Sequence, residues 1–578
     1  MNQLLRQNRC GQQPKWSQLG LAFPNDPLHL KNVRPLTLSV VDEMAKALRD
    51  PELATRWFKV RKWITVPQPG LPRGRAVEAA LTPDEVALMV EVGQAEHTTF
   101  TEVRSMCIIF PVPEVMKSRR RVIKHTKWFN DTYGRDTLTG TKLLRTKDLV
   151  QSVHDGKYAI TLDFSAYFDQ FELDGEIRPD FCFPAGGKWY RLTRLPMGMR
   201  QAVDVAQTVT EILLDFDRPA GIRADSYVDN VRFLGNNLEE LIATAAKFID
   251  RCREANVTIN DIPPNLPHEH PHEPSSRTAA LLVHTAGEFL GGFFDYEAKT
   301  VCLAAKSIKK LTLLSNMFHT RGDEFTLRNF LTLFGLLFFA LQMTRAPAAN
   351  RYYALKEYSE AARRIQRDPG LLESVYKCSP SRTLHISAWV KETLENAPRK
   401  VPLVPHPAEA DFILVTDASG WGWGAILLNT ITGEMYTWNE RWPENWVGAR
   451  RSAWSEPEAI ARALRKFFPN GTQRSIAVLT DSSTAVGAFD KGRSKAYAVN
   501  RALLDVQKIF PEFNASWWHI PGTDNPTDPI SRGLEMGDRS EATAHIRRLV
   551  MGLPREGGPK VVLHDEHASV GNNTLWNR

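Results

Sequence analysis

A chain of 578 residues, 43% of them hydrophobic, is long enough for several domains at roughly 100 to 200 residues each, which excludes a disordered tail or a small peptide. The formal net charge of +7 and an isoelectric point near 9.0 favour a polyanionic partner without requiring one. Six cysteines, at 10, 107, 182, 252, 302 and 378, form no CxxC pair, so neither a disulfide framework nor a zinc ribbon is indicated; the plain reading is reduced thiols in an intracellular protein, cytoplasmic or nuclear.

In chain order, the first residues hold no apolar stretch long enough for a signal peptide, and residues 1–80, rich in Gln, Pro, Arg and Trp with little periodicity, read as an extended or partly ordered lead-in of unassigned role. Thr82-Pro83-Asp84-Glu85 combines a capping residue, a first-turn proline and a Glu three positions on, so a helix and a folded domain are expected to start here. Strand-like runs at 106–110, 159–164, 226–234 and 288–294, with helical patterns at 202–216 and 238–254 between them, make 81–305 an α+β region. The His/Pro-rich segment 263–274 carries His268, His270 and His272 and reads as a solvated loop in preference to a chelating site.

Residues 306–400 turn helical. Their most apolar stretch, 330–343, is shorter than the roughly 18 to 20 residues that span a bilayer and is flanked by Arg328 and Arg345, so a buried helix and no membrane partner are expected. Beyond the proline-rich linker 402–407, a second mixed domain occupies 401–540, followed by a tail, 541–578. It holds short apolar strands at 412–416 and 475–480, each running out into an Asp, and a helix at 455–468 that Ser455 and Glu458 are spaced to open as a capping box. Strand ends suit catalytic groups, because the loop frees the side chain while the sheet fixes its root.

Two carboxylate constellations follow. Asp163 ends an apolar run with Phe168 five residues on, and Asp229 sits in a strand-turn-strand, Ser226-Tyr227-Val228-Asp229-Asn230-Val231. Carboxylates on adjacent strands suit the two Mg²⁺ ions of a phosphoryl-transfer site; a helix cap and a hairpin-turn residue are the bland alternatives for each taken singly. Between them lies Leu195-Pro196-Met197-Gly198, with Gln207 eleven residues past the proline. These segments resemble motifs A, B and C of reverse transcriptases, D-x-x-x-x-[FY], L-P-x-G and Y-x-D-D, in the right order. Upstream, the run from Arg121 to Asn130 resembles the family's fingers segment; downstream, Glu288-Phe289-Leu290-Gly291 resembles its F-L-G box.

The resemblance implies a right-hand polymerase of fingers, palm and thumb. Asp163 and Asp229 would hold the metals. Phe168 would exclude a ribose 2′-hydroxyl, Arg121 would neutralise triphosphate charge, Gly198 would admit the nucleotide or template, and Gln207 and Tyr227 would contact them. The chain departs from the family at Asn230, where the second Asp of motif C is usual. An amide offers a carbonyl oxygen but no negative charge, and it supports a rival reading: a degenerate relative that binds RNA or scaffolds an assembly.

The second constellation comprises Asp417, Glu456, Asp481 and Asp528, with Trp518-His519-Ile520-Pro521-Gly522 ahead of the last. Several anionic ligands are needed to offset the mutual repulsion of two close divalent ions. The order D, E, D, D resembles ribonuclease H, an α/β domain, with His519 in the place of that family's mobile histidine. The closing N-P-T-D-x-x-S-R-G resembles BEL/Pao-like elements, and H-I-P-G resembles gypsy-like and DIRS-like ones, so the retroelement subfamily stays open. The joint resemblance implies Mg²⁺, two ions per site with Mn²⁺ as a substitute. The implied partners are an RNA template, a DNA primer, an RNA/DNA hybrid and deoxynucleoside triphosphates. With no aspartic-protease, integrase-zinc or zinc-knuckle box, one processed piece or a short open frame is expected.

Overall fold

The computed structural model describes residues 26–553, apart from 115–116, 134–140, 261, 263–273, 321–324, 345, 347, 396–397, 402, 447, 449–450 and 511–514. His268, His270 and His272, and most of the 541–578 tail, fall outside the described residues. The chain divides into two compact units, 1–145 with 155–290 and 146–154 with 291–578.

In the first unit, β1 (Leu28–His29) pairs in parallel with β3 (Arg119–His125), which pairs antiparallel with β2 (Ile108–Glu114). A four-stranded antiparallel sheet runs in the order β7-β4-β6-β5, formed by β4 (Tyr158–Asp163), β5 (Arg223–Tyr227), β6 (Asn230–Gly235) and β7 (Val283–His284). Helices Ala202–Leu214 and Leu238–Glu254 supply Val205, Val209, Phe248 and Ile249 to one core with Ile160 and Phe233 of the sheet and Phe164 just beyond β4. The expected helix after Thr82 runs Pro83–Glu91, with both halves of its capping box formed.

The lead-in is a correction. Helices Leu38–Lys46 and Pro51–Thr65 fold onto this core through Val41, Met44, Leu53, Trp57, Val60 and Ile64. Asp50 caps the second by accepting from Glu52 N at 2.8 Å, and Pro51 sits in its first turn. The apolar positions do recur at three- and four-residue spacing, but the arginines, lysines and prolines around them mask the stripe.

In the second unit, the strands Gly292–Asp295 and Thr300–Leu303 are followed by helices Ala305–Thr320, Leu327–Thr344, Tyr352–Arg367 and Pro380–Glu395. Leu327–Thr344 is long and apolar enough by composition to cross a membrane, yet it buries Phe330, Leu333, Phe334, Leu337 and Met343. A five-stranded sheet follows, in the order β10-β9-β8-β11-β12, formed by β8 (Phe412–Ala418), β9 (Gly422–Asn429), β10 (Met435–Arg441), β11 (Ile476–Thr480) and β12 (Ala515–His519). The β8–β9 and β9–β10 pairs are antiparallel; β8–β11 and β11–β12 are parallel.

Successive side chains point to opposite faces of this sheet. Leu414, Ala425 and Leu427 meet Ile460, Leu464 and Leu503 of helices Ser452–Phe467 and Tyr497–Ile509 on one side. Ile413, Val415, Ile426 and Leu428 meet Ile546 and Val550 of helix Arg539–Gly552 on the other. With both faces covered, β8 and β11 read as unbroken apolar runs. Two expectations are corrected: the tail begins as a packed helix that closes the sheet's second face, and Ser455 caps nothing, since it lies buried inside a helix that starts at Ser452.

Candidate active sites

In the first unit, β4 delivers Asp163 opposite Asn230 of β6, and Asp229 occupies the two-residue turn between β5 and β6. Phe164 N donates to Asp229 O at 2.8 Å, tying the turn to the end of β4. The other turn residue, Val228, has φ +55°, a left-handed conformation that costs a β-branched residue on the order of 1–3 kcal/mol. Helix Ala202–Leu214 holds it there: Val228 N donates to Gln207 Oε1 at 2.6 Å, and Thr210 Oγ1 donates to Val228 O at 2.6 Å. Burial, then the facing Asp163 charge, push the Asp229 carboxyl above its ordinary range, while Asn230 and Arg121 pull it down. Asn230 Nδ2 donates to Asp229 Oδ1 at 2.9 Å, and Asn260 Nδ2 donates to Asp163 Oδ2 at 2.6 Å.

Three expectations change here. Gln207 is 1% exposed, and besides holding Val228 it donates to Glu211 Oε1 and Ser226 Oγ, both at 2.9 Å; it braces the Asp229 turn and has no face for a nucleotide or template. A Cβ on Gly198 would lie 2.4 Å from Lys124 O, so that glycine admits the chain's own β3 strand. Asn130 fixes the same loop, donating to Gly198 O at 2.8 Å and accepting from Arg200 N at 3.0 Å. Arg121 pairs with Glu114 at 3.0 Å, so triphosphate charge would compete with a partner already present. Of the neighbouring aromatics, Tyr167 is buried in the core with its hydroxyl 3.0 Å from Thr210 Oγ1, whereas Phe168 is half-buried. Tyr227 is half-buried at the end of β5, its hydroxyl pKa raised by burial and by Asp229.

In the second unit, Asp417 of β8, Glu456 of helix Ser452–Phe467 and Asp481 just beyond β11 bring carboxylate oxygens within 4.8 Å of one another, a group of three that could hold a metal ion. Glu456 is 4% exposed, and burial followed by the charges of Asp417 and Asp481 pushes it up to about 9. Its Oε1 accepts from Ala418 N at 3.1 Å, while Oε2 is buried without a hydrogen bond. Burial is also the main cause that raises Asp417 and Asp481. These features, an orphaned carboxylate oxygen among crowded anionic donors, fit a divalent cation.

Asp528 lies apart from that trio. Its carboxylate is exposed and takes the Arg532 guanidinium at 2.8 and 3.2 Å, although its charge helps raise both Asp417 and Asp481. The i,i+4 spacing on one helical turn makes that pairing, so the sequence expectation of a fourth equal ligand is revised to a rim carboxylate. His519 ends β12, exposed, with Nε2 3.0 Å from Asp481 O. Glu458 pairs with Arg462 at 2.8 Å and is not one of the three grouped carboxylates. Gly424 is required where it stands, because a Cβ there would lie 2.5 Å from Ser531 N.

A retrovirus-related Pol polyprotein from transposon 412 of Drosophila melanogaster is 28% identical over 118 residues, 20% of this chain and 9% of that protein. This chain resembles a retroelement Pol protein. The match thus spans about a tenth of the curated relative's length. Among solved structures, a foamy viral protease-reverse transcriptase in complex with double-stranded DNA aligns with TM-score 0.45 and 15% identity over 86% of this chain and 83% of that one. The same viral protein in complex with an RNA/DNA hybrid aligns with TM-score 0.44 and 15% identity over 94% and 67%. No protein-family model matches the chain.

Several residues at these sites carried no role in the sequence reading. Ser531 Oγ donates to Asp417 Oδ2, and Asn525 Nδ2 donates to Thr416 O at 3.2 Å, so the closing N-P-T-D-x-x-S segment positions Asp417 as well as Asp528. Their place inside a recognised motif was the available signal. Asn260 and Thr210 lie in no such motif, and only the folded backbone brings them to Asp163 and Val228.

Proposed function

We propose that the chain is an RNA-directed DNA polymerase with ribonuclease H activity, which copies a retroelement RNA into DNA and degrades the RNA strand of the hybrid. One observation supports this above the others: carboxylates from distant parts of the chain are brought together so that burial and a facing carboxylate charge raise the pKa values of Asp229 and Glu456, and such repulsion is relieved by a divalent cation. In the polymerase site Asp163 and Asp229 would hold Mg²⁺ or Mn²⁺, and in the nuclease site Asp417, Glu456 and Asp481 would do so, with Asp528 at the rim. Two ions per site, when bound, would stabilise the attacking and leaving oxygens of phosphoryl transfer.

The remaining work falls to the chain's own groups. Gln207 and Thr210 keep the Val228-Asp229 turn in its strained conformation, so Asp229 is aimed before any substrate arrives. Phe168, the half-buried one of the two aromatics, would meet the sugar of a deoxynucleoside triphosphate. Arg121 would exchange Glu114 for triphosphate oxygens. Ser531 and Asn525 orient Asp417, and His519, beside Asp481, would carry a proton or assist product departure. The non-catalytic alternative rests on Asn230 alone, and there the amide donates to Asp229, giving that carboxylate a partner where a second carboxylate would repel it. Primer extension on an RNA template and cleavage of an RNA/DNA hybrid, both with Mg²⁺, test the proposal; absence of both activities from a folded preparation would reject it.

A further inference from the structure

The N-terminal segment reaches the polymerase-type carboxylates of the first unit. It is pinned on both sides of Lys31: Leu28 and His29 pair with Arg120 and Arg121, Leu36 N donates to Gln170 O at 2.8 Å, and Thr37 N donates to Ala255 O at 2.8 Å. From this strap Lys31 Nζ donates to Asn260 Oδ1 and to Ser165 Oγ, each at 3.0 Å. Asn260 in turn holds Asp163 twice, by its backbone N to Asp163 O at 2.7 Å and by its side-chain Nδ2 to Asp163 Oδ2 at 2.6 Å.

The chemistry of the three groups fixes their direction. An ammonium has donors and no acceptor, so it can meet only the oxygen end of the Asn260 amide, which leaves the NH₂ end for the carboxylate. A flipped amide would set oxygen against ammonium no longer, but oxygen against carboxylate. We propose that Lys31 and Asn260 are positioning residues for Asp163, the lysine locking the amide whose NH₂ aims the carboxylate at its cation. The assignment rests on the reading of Asp163 and Asp229 as a cation-binding polymerase pair, and it makes the strap part of that site.

The sign of one measurement separates positioning from simple charge. Removing a nearby positive charge should tighten cation binding, whereas freeing the amide should weaken it. The test uses the full chain carrying Asp417→Asn and Asp481→Asn to silence the second cluster, with Mn²⁺ alone as the probe, followed by electron paramagnetic resonance, and primer extension against Mg²⁺ concentration in parallel. Lys31→Met and Asn260→Ala should each weaken Mn²⁺ binding and raise the Mg²⁺ requirement about tenfold, the scale found for groups that orient a metal ligand. The double variant should be no weaker than Asn260→Ala, because the lysine acts through the amide. Lys31→Arg should stay within about threefold of the parent, since it keeps donors at the same amide oxygen. Unchanged or tighter Mn²⁺ binding in Lys31→Met, or an additive double variant, overturns the proposal. Weaker binding in a protein that never extends a primer would reject the polymerase reading and leave the positioning role standing; no Mn²⁺ bound by the parent would reject both.

Discussion

Glu456→Gln should make the cation-free protein more stable at neutral and alkaline pH, though it deletes a proposed ligand. Glu456 is buried beside Asp417 and Asp481 and pushed from 4.5 up to about 9. Below the unfolded pKa the carboxyl is neutral in both states and contributes nothing. As pH rises above 4.5 the unfolded chain releases the proton while the folded chain keeps it, so stability falls until pH passes the folded value. At pH 7 about 2.5 pH units of that window have been crossed, and at about 1.36 kcal/mol per unit the cost reaches about 3 kcal/mol. This is an upper figure, because the trio shares its protons. Glutamine has the same shape and no charge, so the variant should gain up to about 3 kcal/mol over the parent at pH 7 in chelator, with the two converging near pH 4.5. Urea unfolding followed by tryptophan fluorescence across pH 5 to 8.5 reads the difference. Adding Mg²⁺ at pH 8 should stabilise the parent more than the variant. A variant less stable than the parent in chelator at pH 8, or a difference that does not change with pH, would refute the crowded-carboxylate account.

Phe168→Val should raise ribonucleotide incorporation relative to deoxynucleotide by about tenfold or more in single-nucleotide extension, while Tyr167→Val should chiefly lower thermal stability, since that ring is in the core. Gln207→Leu should cut extension at least tenfold with little loss of cleavage by the second unit, because the Val228 turn loses its acceptor; an unchanged extension rate would remove the bracing role. Asn230→Asp should preserve extension or lower its Mg²⁺ requirement, and Asn230→Ala should cost far less than Asp229→Asn; extension seen only in Asn230→Asp would favour the non-catalytic alternative for the natural protein.

The strands and helices nearest the carboxylates were legible, because they carry strong periodicity and ordered boxes. Helix Leu238–Glu254 falls where its pattern ran, and the capping box at Thr82 and Glu85 forms as spaced. What stayed hidden depends on tertiary contacts. Gly198 looked like a place for a ligand because sequence cannot show that Lys124 O fills the space, and Gln207 looked free because its acceptor, donor and turn partners lie up to 21 residues away. Asp528 looked equal to its three companions since the competing Arg532, four residues on, forms its pair only when that turn is helical. The lead-in helices were missed for a different reason: their apolar stripe is broken by charged residues in the linear sequence, and it becomes continuous only on the helix surface.

The two-activity account is tested most directly by one crossed measurement. Wild type, Asp229→Asn and Asp481→Asn are assayed side by side for primer extension on an RNA template and for cleavage of the RNA strand of a hybrid, in Mg²⁺. The account predicts that Asp229→Asn loses extension by several orders of magnitude and keeps cleavage, while Asp481→Asn loses cleavage and keeps extension, since each removes charge from one cluster only. Extension undiminished in Asp229→Asn, or cleavage undiminished in Asp481→Asn, would contradict it.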